Sequence, residues 1–454
     1  MNKNYLYLFF ILFFMTVCFS FSLGMFFTEQ PKPRANEILT PKPVAILPDG
    51  SVNKEYLKNV TDYTADHFAF RTDLITIHNA ILSKVFRTSA SDDVILGKQN
   101  WLFYKQTEHD YIGKNILSDN DIENIAHTLH MIQQYVESQN AQFLFVIAPN
   151  KNSLYSEYMP DNMYTIRNES NAQNLMNALQ KQNVNYIDLF TIFRQKNEVL
   201  YYQLDSHWNN KGAALAYDSI MSALGIYHTN WYDMDYSIQK NHKGDLYEML
   251  YPKGKQLEND IVFERQFDFQ PDNEIHAPDD IQIDTTNQQK QHSLLMFRDS
   301  FGNNLYPFFA DGFGHSRFSR KMPYTLTMME EVCADVVILE IVERNISNLA
   351  QYAPVLQSPL VELHTADAIP MQCDIDIEIT ESELEGYCCI KGSIGEYGNI
   401  YIQWQNECYE AFTVGKSQKG QQAFTAYVPE GVEQHLKAIF VEKNGVLYQC
   451  LKSV

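Results

Sequence analysis

The sequence predicts an α/β protein: a mostly parallel sheet flanked by helices, followed by a small all-β domain and preceded by a transmembrane helix. Three observations carry this reading. A continuous apolar run, Phe143 to Ala148, and two predominantly apolar ones, Ser293 to Phe297 and Val336 to Ile341, alternate with segments of helical periodicity. Strands that are apolar on both faces and separated by helices belong to a parallel sheet covered on both sides. After residue 370 the helical period disappears and Ile375, Ile377 and Ile379 alternate with acidic residues. At the other end, Tyr5 to Phe27 contains no charged residue.

Taken in chain order, residues 1–28 read as an anchor. The 23 uncharged residues from Tyr5 to Phe27 suffice to cross a hydrocarbon core of ~30 Å as a helix. They exceed the roughly 7–15 apolar residues of a cleaved signal peptide. Lys3 precedes the run and Lys32 and Arg34 follow it, so flanking charge does not set the orientation. The expected location is the cell membrane, single-pass, with the remainder extracytoplasmic. Residues 29–90 form a stalk and helical lead-in. Five prolines between residues 28 and 50 stiffen the stalk, and Tyr56 to Phe86 has helical character.

Residues 91–368 hold the α/β domain. Val94 to Tyr104 predicts two short strands around a turn. Ser118 to Asp121 is a capping box, and Ile122, Ile125, Leu129, Ile132 and Val136 after it recur at helical spacing. Asn150, Lys151 and Tyr155 lie just past the C-terminal end of the Phe143 strand, the edge at which open α/β sheets bind ligands. A helix over 172–180, a strand over 185–189 and a helix capped by Asn209 or Asn210 follow. Residues 230–290 read as a polar, irregular insertion. Residues 369–454 predict a β-sandwich-like domain, with Asn444-Gly445 as a hairpin turn.

The formal charge of −21 argues against a nucleic-acid partner, since phosphate neutralisation needs clustered Lys and Arg. Of seven cysteines, Cys18 lies in the apolar run and none of the others has zinc-ligand spacing. They read as small core residues or as bridge partners, with at least one left over.

Two stretches carry chemistry. Asp205-Ser206-His207-Trp208 places a carboxylate and an imidazole two residues apart before a helix, and Arg298-Asp299-Ser300-Phe301 ends a buried strand in a serine. A serine hydroxyl needs a base within hydrogen-bond reach, and the base needs an orienting carboxylate. Asp205, His207 and Ser300 are therefore the candidate catalytic residues, with backbone N–H groups near Ser300 available to an oxyanion. By themselves the residues also describe a metal pair, or a helix cap with a packed histidine.

Asp205-Ser206-His207-Trp208 resembles the DTHW/DHHW signature of the alginate O-acetyltransferase (AlgJ/AlgX-like) and DHHW families, SGNH-hydrolase-like proteins of bacterial envelopes. Other pieces occur in the family's order across residues 50–350. They are Phe70-Arg71, Gly97-Lys98 with Trp101 to Tyr104, Pro149-Asn150-Lys151 with Tyr155 and Pro160, Gly244-Asp245-Leu246, and Asp299-Ser300-Phe301-Gly302. The resemblance implies an SGNH-like fold whose motifs are circularly permuted, Asp-x-His before Ser. It also implies transfer of an acetyl group onto an exported polysaccharide, with no cofactor or metal. A membrane-bound O-acyltransferase partner would supply the acetyl group. Asn345 or Arg344 would contribute to the oxyanion site, and Lys151, Tyr155 and Trp208 are further candidate contacts. Trp208 is expected to wall the loop. Two departures stand out: Arg298 replaces the usual glycine before Asp-Ser, where it would crowd the oxyanion site or bind an acidic sugar, and Ser206 separates Asp205 from His207. The competing readings are an O-acetylesterase with the same triad, and a glycan-binding or assembly protein relying on Tyr401 and Trp404.

Overall fold

The computed structural model of the chain describes residues 3–25, 27, 39–167, 169–416, 419–431 and 436–452. Part of the expected stalk, residues 28–38, lies outside them. Lys3–Gly24 is a helix of 22 residues whose Tyr5, Phe9, Leu12 and Phe13 are exposed. Among the described residues no helix is long and apolar enough to cross a membrane. The side chains at 3, 18, 21 and 22, within Lys3–Gly24, lie outside that description.

The central sheet has seven strands in the order Tyr186–Ile187, Gln142–Ala148, Val336–Val342, Ser293–Phe297, His315–Ser319, Gln282–Thr286 and Gln270–Pro271. The first five run parallel, and each of the last two pairs antiparallel with the strand before it. Alternate residues of each central strand serve opposite faces. Phe143, Phe145, Ile147, Leu295, Phe297, Val337 and Leu339 pack on the side of helices Asp119–Ser138 and Asn171–Lys181. Leu144, Val146, Leu294, Met296, Val336 and Ile338 pack on the side of Asn210–Ala223 and Gly302–Gly312. Burial on both faces is why these strands are largely apolar in the sequence, Glu340 being the buried exception.

Ser118 caps its helix by accepting from the Asp121 N–H, and Asn209 caps the next by accepting from Gly212. Two expectations need correction. The strand expected over 185–189 is only Tyr186–Ile187, because Asp188 caps a new helix, Leu189–Arg194. The stretch 230–290 is ordered rather than irregular. It contains an antiparallel hairpin, Tyr236–His242 with Glu258–Phe263, the helix Asp245–Leu250 between its strands, and the two antiparallel strands of the main sheet. Tyr236–His242 is mostly exposed, so it shows no apolar alternation.

The C-terminal part is built from a six-stranded and a four-stranded sheet. Residues of both, including Ile390, Ile402, Trp404, Phe424 and Val441, share one core. Asn444 and Gly445 both have positive φ, 51° and 76°, as the tight hairpin turn requires. Cys333 is an exposed thiol, and Cys373, Cys388, Cys389, Cys408 and Cys450 are buried thiols. Tyr401 and Trp404 are core residues. The Trp404 ring N–H donates to the Pro429 carbonyl and the Tyr401 hydroxyl to Glu442, so neither offers a sugar-stacking face.

This part shares apolar contacts with the α/β part. Leu384, Cys389, Phe412 and Tyr427 pack in the same cluster as Ile122, Ile125 and Leu129, and His127 Nε2 lies 2.8 Å from Glu410 Oε1. Phe412 is fully buried in that seam. Phe412→Ala is predicted to cost about 3–5 kcal/mol, the usual range for a buried aromatic. Urea unfolding followed by near-UV circular dichroism is expected to show one transition at a lower midpoint, because the seam couples the two parts.

Candidate active site

Three adjacent parallel strands end at one edge of the sheet and deliver the site. Asn150 and Lys151 follow Gln142–Ala148, Glu343 to Asn345 follow Val336–Val342, and Arg298 to Phe301 follow Ser293–Phe297. The loop Leu204 to Trp208 closes over this edge from outside the sheet.

The structure brings Asp205, His207 and Ser300 together. His207 Nε2 is 3.0 Å from Ser300 Oγ. Its Nδ1 is 2.8 Å from Asp205 Oδ1, which also accepts the His207 backbone N–H at 2.9 Å. Asp205 is buried, 5% exposed. Its second oxygen accepts from the Asp245 N–H at 2.9 Å and lies 3.1 Å from His242 Nε2. Burial alone would raise the Asp205 carboxyl. Hydrogen bonds from His207 and His242, and their charge, outweigh burial and hold it well below the usual carboxylate range. Burial also opposes the imidazolium of His207, but the hydrogen bond and charge of Asp205, with the charge of Asp245, raise its pKa above the free value.

Ser206 has a role that the motif alone did not disclose. Its N–H and hydroxyl donate to the two oxygens of Asp245, at 2.8 and 2.6 Å, and its Oγ is 3.2 Å from His207 Nδ1. Burial and the charge of Asp205 raise the Asp245 carboxyl. Ligating atoms of Asp205, His207 and Asp245 lie within 4.8 Å of one another. The carboxylate oxygens of this cluster already accept N–H or O–H donors, so the donor set fits a hydrogen-bonded triad better than a cation site.

The serine turn is held from beneath by Asp299. Its Oδ1 accepts from the Phe301 N–H, and its Oδ2 from the Val342 N–H and from Asn345 Nδ2 at 3.0 Å. The Asp299 N–H donates to Glu340, a buried strand carboxyl that burial and then the Asp299 charge push well above its ordinary value. Trp208, fully buried, joins the two halves by donating from Nε1 to the Phe301 carbonyl at 3.1 Å.

Several candidates lie elsewhere than expected. Asn345 is committed to Asp299 and orients the turn, whereas Arg344 Nη2 stands 3.4 Å from Ser300 Oγ. Arg298 points away from the site, so it neither crowds Ser300 nor reaches toward a sugar. It is buried, and its guanidinium donates to Asn303 and to the carbonyls of Pro278 and Asp280. Burial, with Arg320 nearby, brings it down to about 10. Lys151 is also buried. Its ammonium donates to the carbonyls of Leu102, Gln203 and Asp205 at 2.7–2.8 Å and lies over Trp101 and Phe103. Burial lowers it to about 7. It supports the Asp205 loop rather than facing a ligand. The Tyr155 hydroxyl accepts from the Leu200 N–H, and its ring packs on Trp101 and Tyr201.

Sequence reasoning missed His242 and Glu258, which accepts the Gln203 and Leu204 N–H groups. Both come from the hairpin Tyr236–His242 with Glu258–Phe263, where no apolar pattern announces them. The signal available was position: His242 stands three residues before Asp245 in the Gly244-Asp245-Leu246 motif.

The Asp205–His207 pair sets a titration. Because Asp205 favours the imidazolium, the His207 ring is expected to lose its proton above the free value of ~6.5. Asp205→Asn removes the favourable partner and leaves burial, so the midpoint should fall. NMR titration of the ring carbons in both proteins checks the sign. A second prediction concerns Gly244. A Cβ there would meet the Leu204 carbonyl oxygen at 2.3 Å and the Asp205 nitrogen at 2.9 Å, all of it backbone. Gly244→Ala must therefore displace the Asp205 loop. Turnover of an acetyl ester is expected to drop about 10²-fold, the scale for misplacing a catalytic group by about 1 Å.

Comparison with known proteins finds similarity over part of the chain. Residues 94–289 match the family model described as the SGNH hydrolase-like domain of the acetyltransferase AlgX; Ser300 lies beyond the matched stretch. The chain is 24% identical over 176 residues to a Pseudomonas syringae pv. tomato protein described as a probable alginate O-acetylase AlgJ, over 38% of this chain and 44% of that protein. It thus spans less than half the length of that relative. Among solved structures it is similar to Bacillus cereus PatB1, at 19% identity and a TM-score of 0.44, over 56% of this chain and 96% of that one. It is also similar to the O-acetyltransferase domain of Pseudomonas putida AlgJ, at 16% identity and a TM-score of 0.37, over 56% and 92%. At such scores the fold rests on the sheet topology described above. The resemblance carried by the motifs therefore holds over residues 94–289, where the chain is similar to the SGNH hydrolase-like domain of the acetyltransferase AlgX.

Proposed function

We propose that the chain is an O-acetyltransferase acting on an exported cell-envelope polysaccharide through an acyl-enzyme on Ser300. The observation that carries the reading is the continuous chain from Asp205 through His207 to Ser300 Oγ, with separations of 2.8 and 3.0 Å. Ser300 Oγ attacks the acetyl carbonyl while His207 Nε2 takes its proton. The tetrahedral oxyanion forms near the Arg344 guanidinium, whose charge stabilises it. The imidazolium then protonates the leaving group, and the acetyl group stays on Ser300. A sugar hydroxyl next loses its proton to His207 and attacks the acetyl-serine, which releases acetylated glycan and restores the hydroxyl.

The apolar run from Tyr5 to Phe27 supports an anchor that holds the site outside the membrane. An acetyl group made on the cytoplasmic side would then have to be delivered across the bilayer, which is the chemistry of a membrane-bound O-acyltransferase partner.

The test incubates the full chain with p-nitrophenyl acetate and alginate or chitin oligosaccharides. Acetate release and the mass gain of one acetyl group on the oligosaccharide are followed together. Both are expected, and Ser300→Ala should lose both by on the order of 10⁴-fold. Ester cleavage with no acetylated glycan would make the protein an esterase. Activity unchanged in Ser300→Ala would remove the triad altogether.

A further inference from the structure

The helix Arg71–Ile81 and its continuation Leu82–Phe86 are amphipathic in the reverse sense. A surface helix ordinarily turns its apolar stripe to the core and its polar side to water. Here polar side chains hold the helix to the domain. Asn79, its buried residue, donates to the Leu250 carbonyl at 2.7 Å, Thr76 Oγ1 accepts the Lys253 N–H at 3.0 Å, and the Tyr251 hydroxyl bonds Ser83 at 2.5 Å. The outward side carries Leu74, Ile77, Ile81 and Val85 at spacings of three and four residues, with Phe70 and Phe86 at its ends. Ile77 is 56% exposed, Ile81 50%, Val85 69% and Phe86 64%. Asp73, His78 and Lys84 are the exposed polar residues among them. A contiguous apolar stripe of this kind marks an interaction surface.

We infer that this stripe lies in the interfacial layer of the bilayer and seats the α/β domain on the membrane. Two observations select lipid as the occupant. The apolar helix Lys3–Gly24 ends against the start of the stripe: a Cβ on Gly24 would lie 2.5 Å from Ala69 Cβ and 3.8 Å from the Phe70 ring. The exposed cations Lys84, Arg87, Lys253 and Lys255 gather at its far end and beside Thr76, in a chain whose net charge is −21. An apolar face rimmed by Lys and Arg suits a surface of anionic lipid.

The consequence rests on the reading under Proposed function. Helix Asp245–Leu250 begins at the residue whose N–H holds Asp205 and ends at the carbonyl that holds Asn79. Those six residues span about 9 Å at 1.5 Å per residue. Seating the stripe therefore places the Asp205–His207–Ser300 edge close to the membrane from which an acetyl donor would emerge.

The experiment uses the full chain with Cys18 and Cys333 replaced by serine, in vesicles of phosphatidylethanolamine and phosphatidylglycerol. A polarity-sensitive fluorophore is placed singly by Ile77→Cys, Ile81→Cys, Leu12→Cys in the apolar helix, and Glu378→Cys as an aqueous reference. Depth is read from quenching by lipids spin-labelled at the headgroup and along the acyl chain. Probes at 77 and 81 are expected about 5–10 Å into the interface, with the reference unquenched. Quenching at 77 and 81 without quenching at 12 would uphold the stripe and remove the anchor. Quenching at 12 alone would uphold the anchor and overturn the stripe, leaving it to a protein partner. Quenching at neither overturns both. Circular dichroism and p-nitrophenyl acetate cleavage, expected unchanged, show that each variant is folded.

Discussion

The site depends on burying one charge. Asp205 is 5% exposed, and an ionised carboxylate is costly to remove from water unless every oxygen is paired. Its partners come from separate parts of the chain: His207 in its own loop, His242 in the following hairpin, and the Asp245 N–H at the start of a short helix. The same loop is held on its other side by the buried Lys151 ammonium, which binds the Asp205 carbonyl together with those of Leu102 and Gln203. A buried cation beneath a buried anion, each with its own hydrogen bonds, leaves the loop little freedom. His207 is thereby held with Nε2 3.0 Å from Ser300 Oγ.

A second carboxylate does for the serine what Asp205 does for the histidine. Asp299 gathers N–H donors from Phe301, Val342 and Asn345, which ties the turn after one strand to the end of its neighbour. Trp208 then bridges the histidine loop to the serine turn with one hydrogen bond and an aromatic contact on Phe301. The chemistry lies at the C-terminal edge of a parallel sheet because that edge brings three strand ends into reach of one another. Arg298 leaves that edge open. Its side chain runs under the turn toward Pro278 and Asp280 rather than across Ser300.

The extent to which this was legible varies with the kind of signal. The strands at 143–148, 293–297 and 336–341 were readable because both faces are buried and composition alone marks them. Asp205, His207 and Ser300 were readable as a set because both motifs sit beside predicted elements of one α/β domain and resemble, in order, those of a known family. The contacts of Lys151, Tyr155, Arg298 and Asn345 were not. Their positions next to the sheet edge are correct, but each side chain turns to a carbonyl, an N–H group or a carboxylate that sequence does not place. The hairpin that supplies His242 and Glu258 was read as irregular because an exposed strand need not alternate.

Sequence by itself determined the layered α/β class, the later all-β part, the apolar N-terminal run and the residue types able to perform acyl transfer. These follow from periodicity and composition, which local chain geometry translates directly. Tertiary structure alone decided which polar groups share a buried charge, which way Arg298 and Lys151 point, and that the helix from Arg71 turns its polar side inward. Those outcomes depend on partners tens to hundreds of residues away, such as the Leu250 carbonyl for Asn79, and only packing brings them within hydrogen-bond distance.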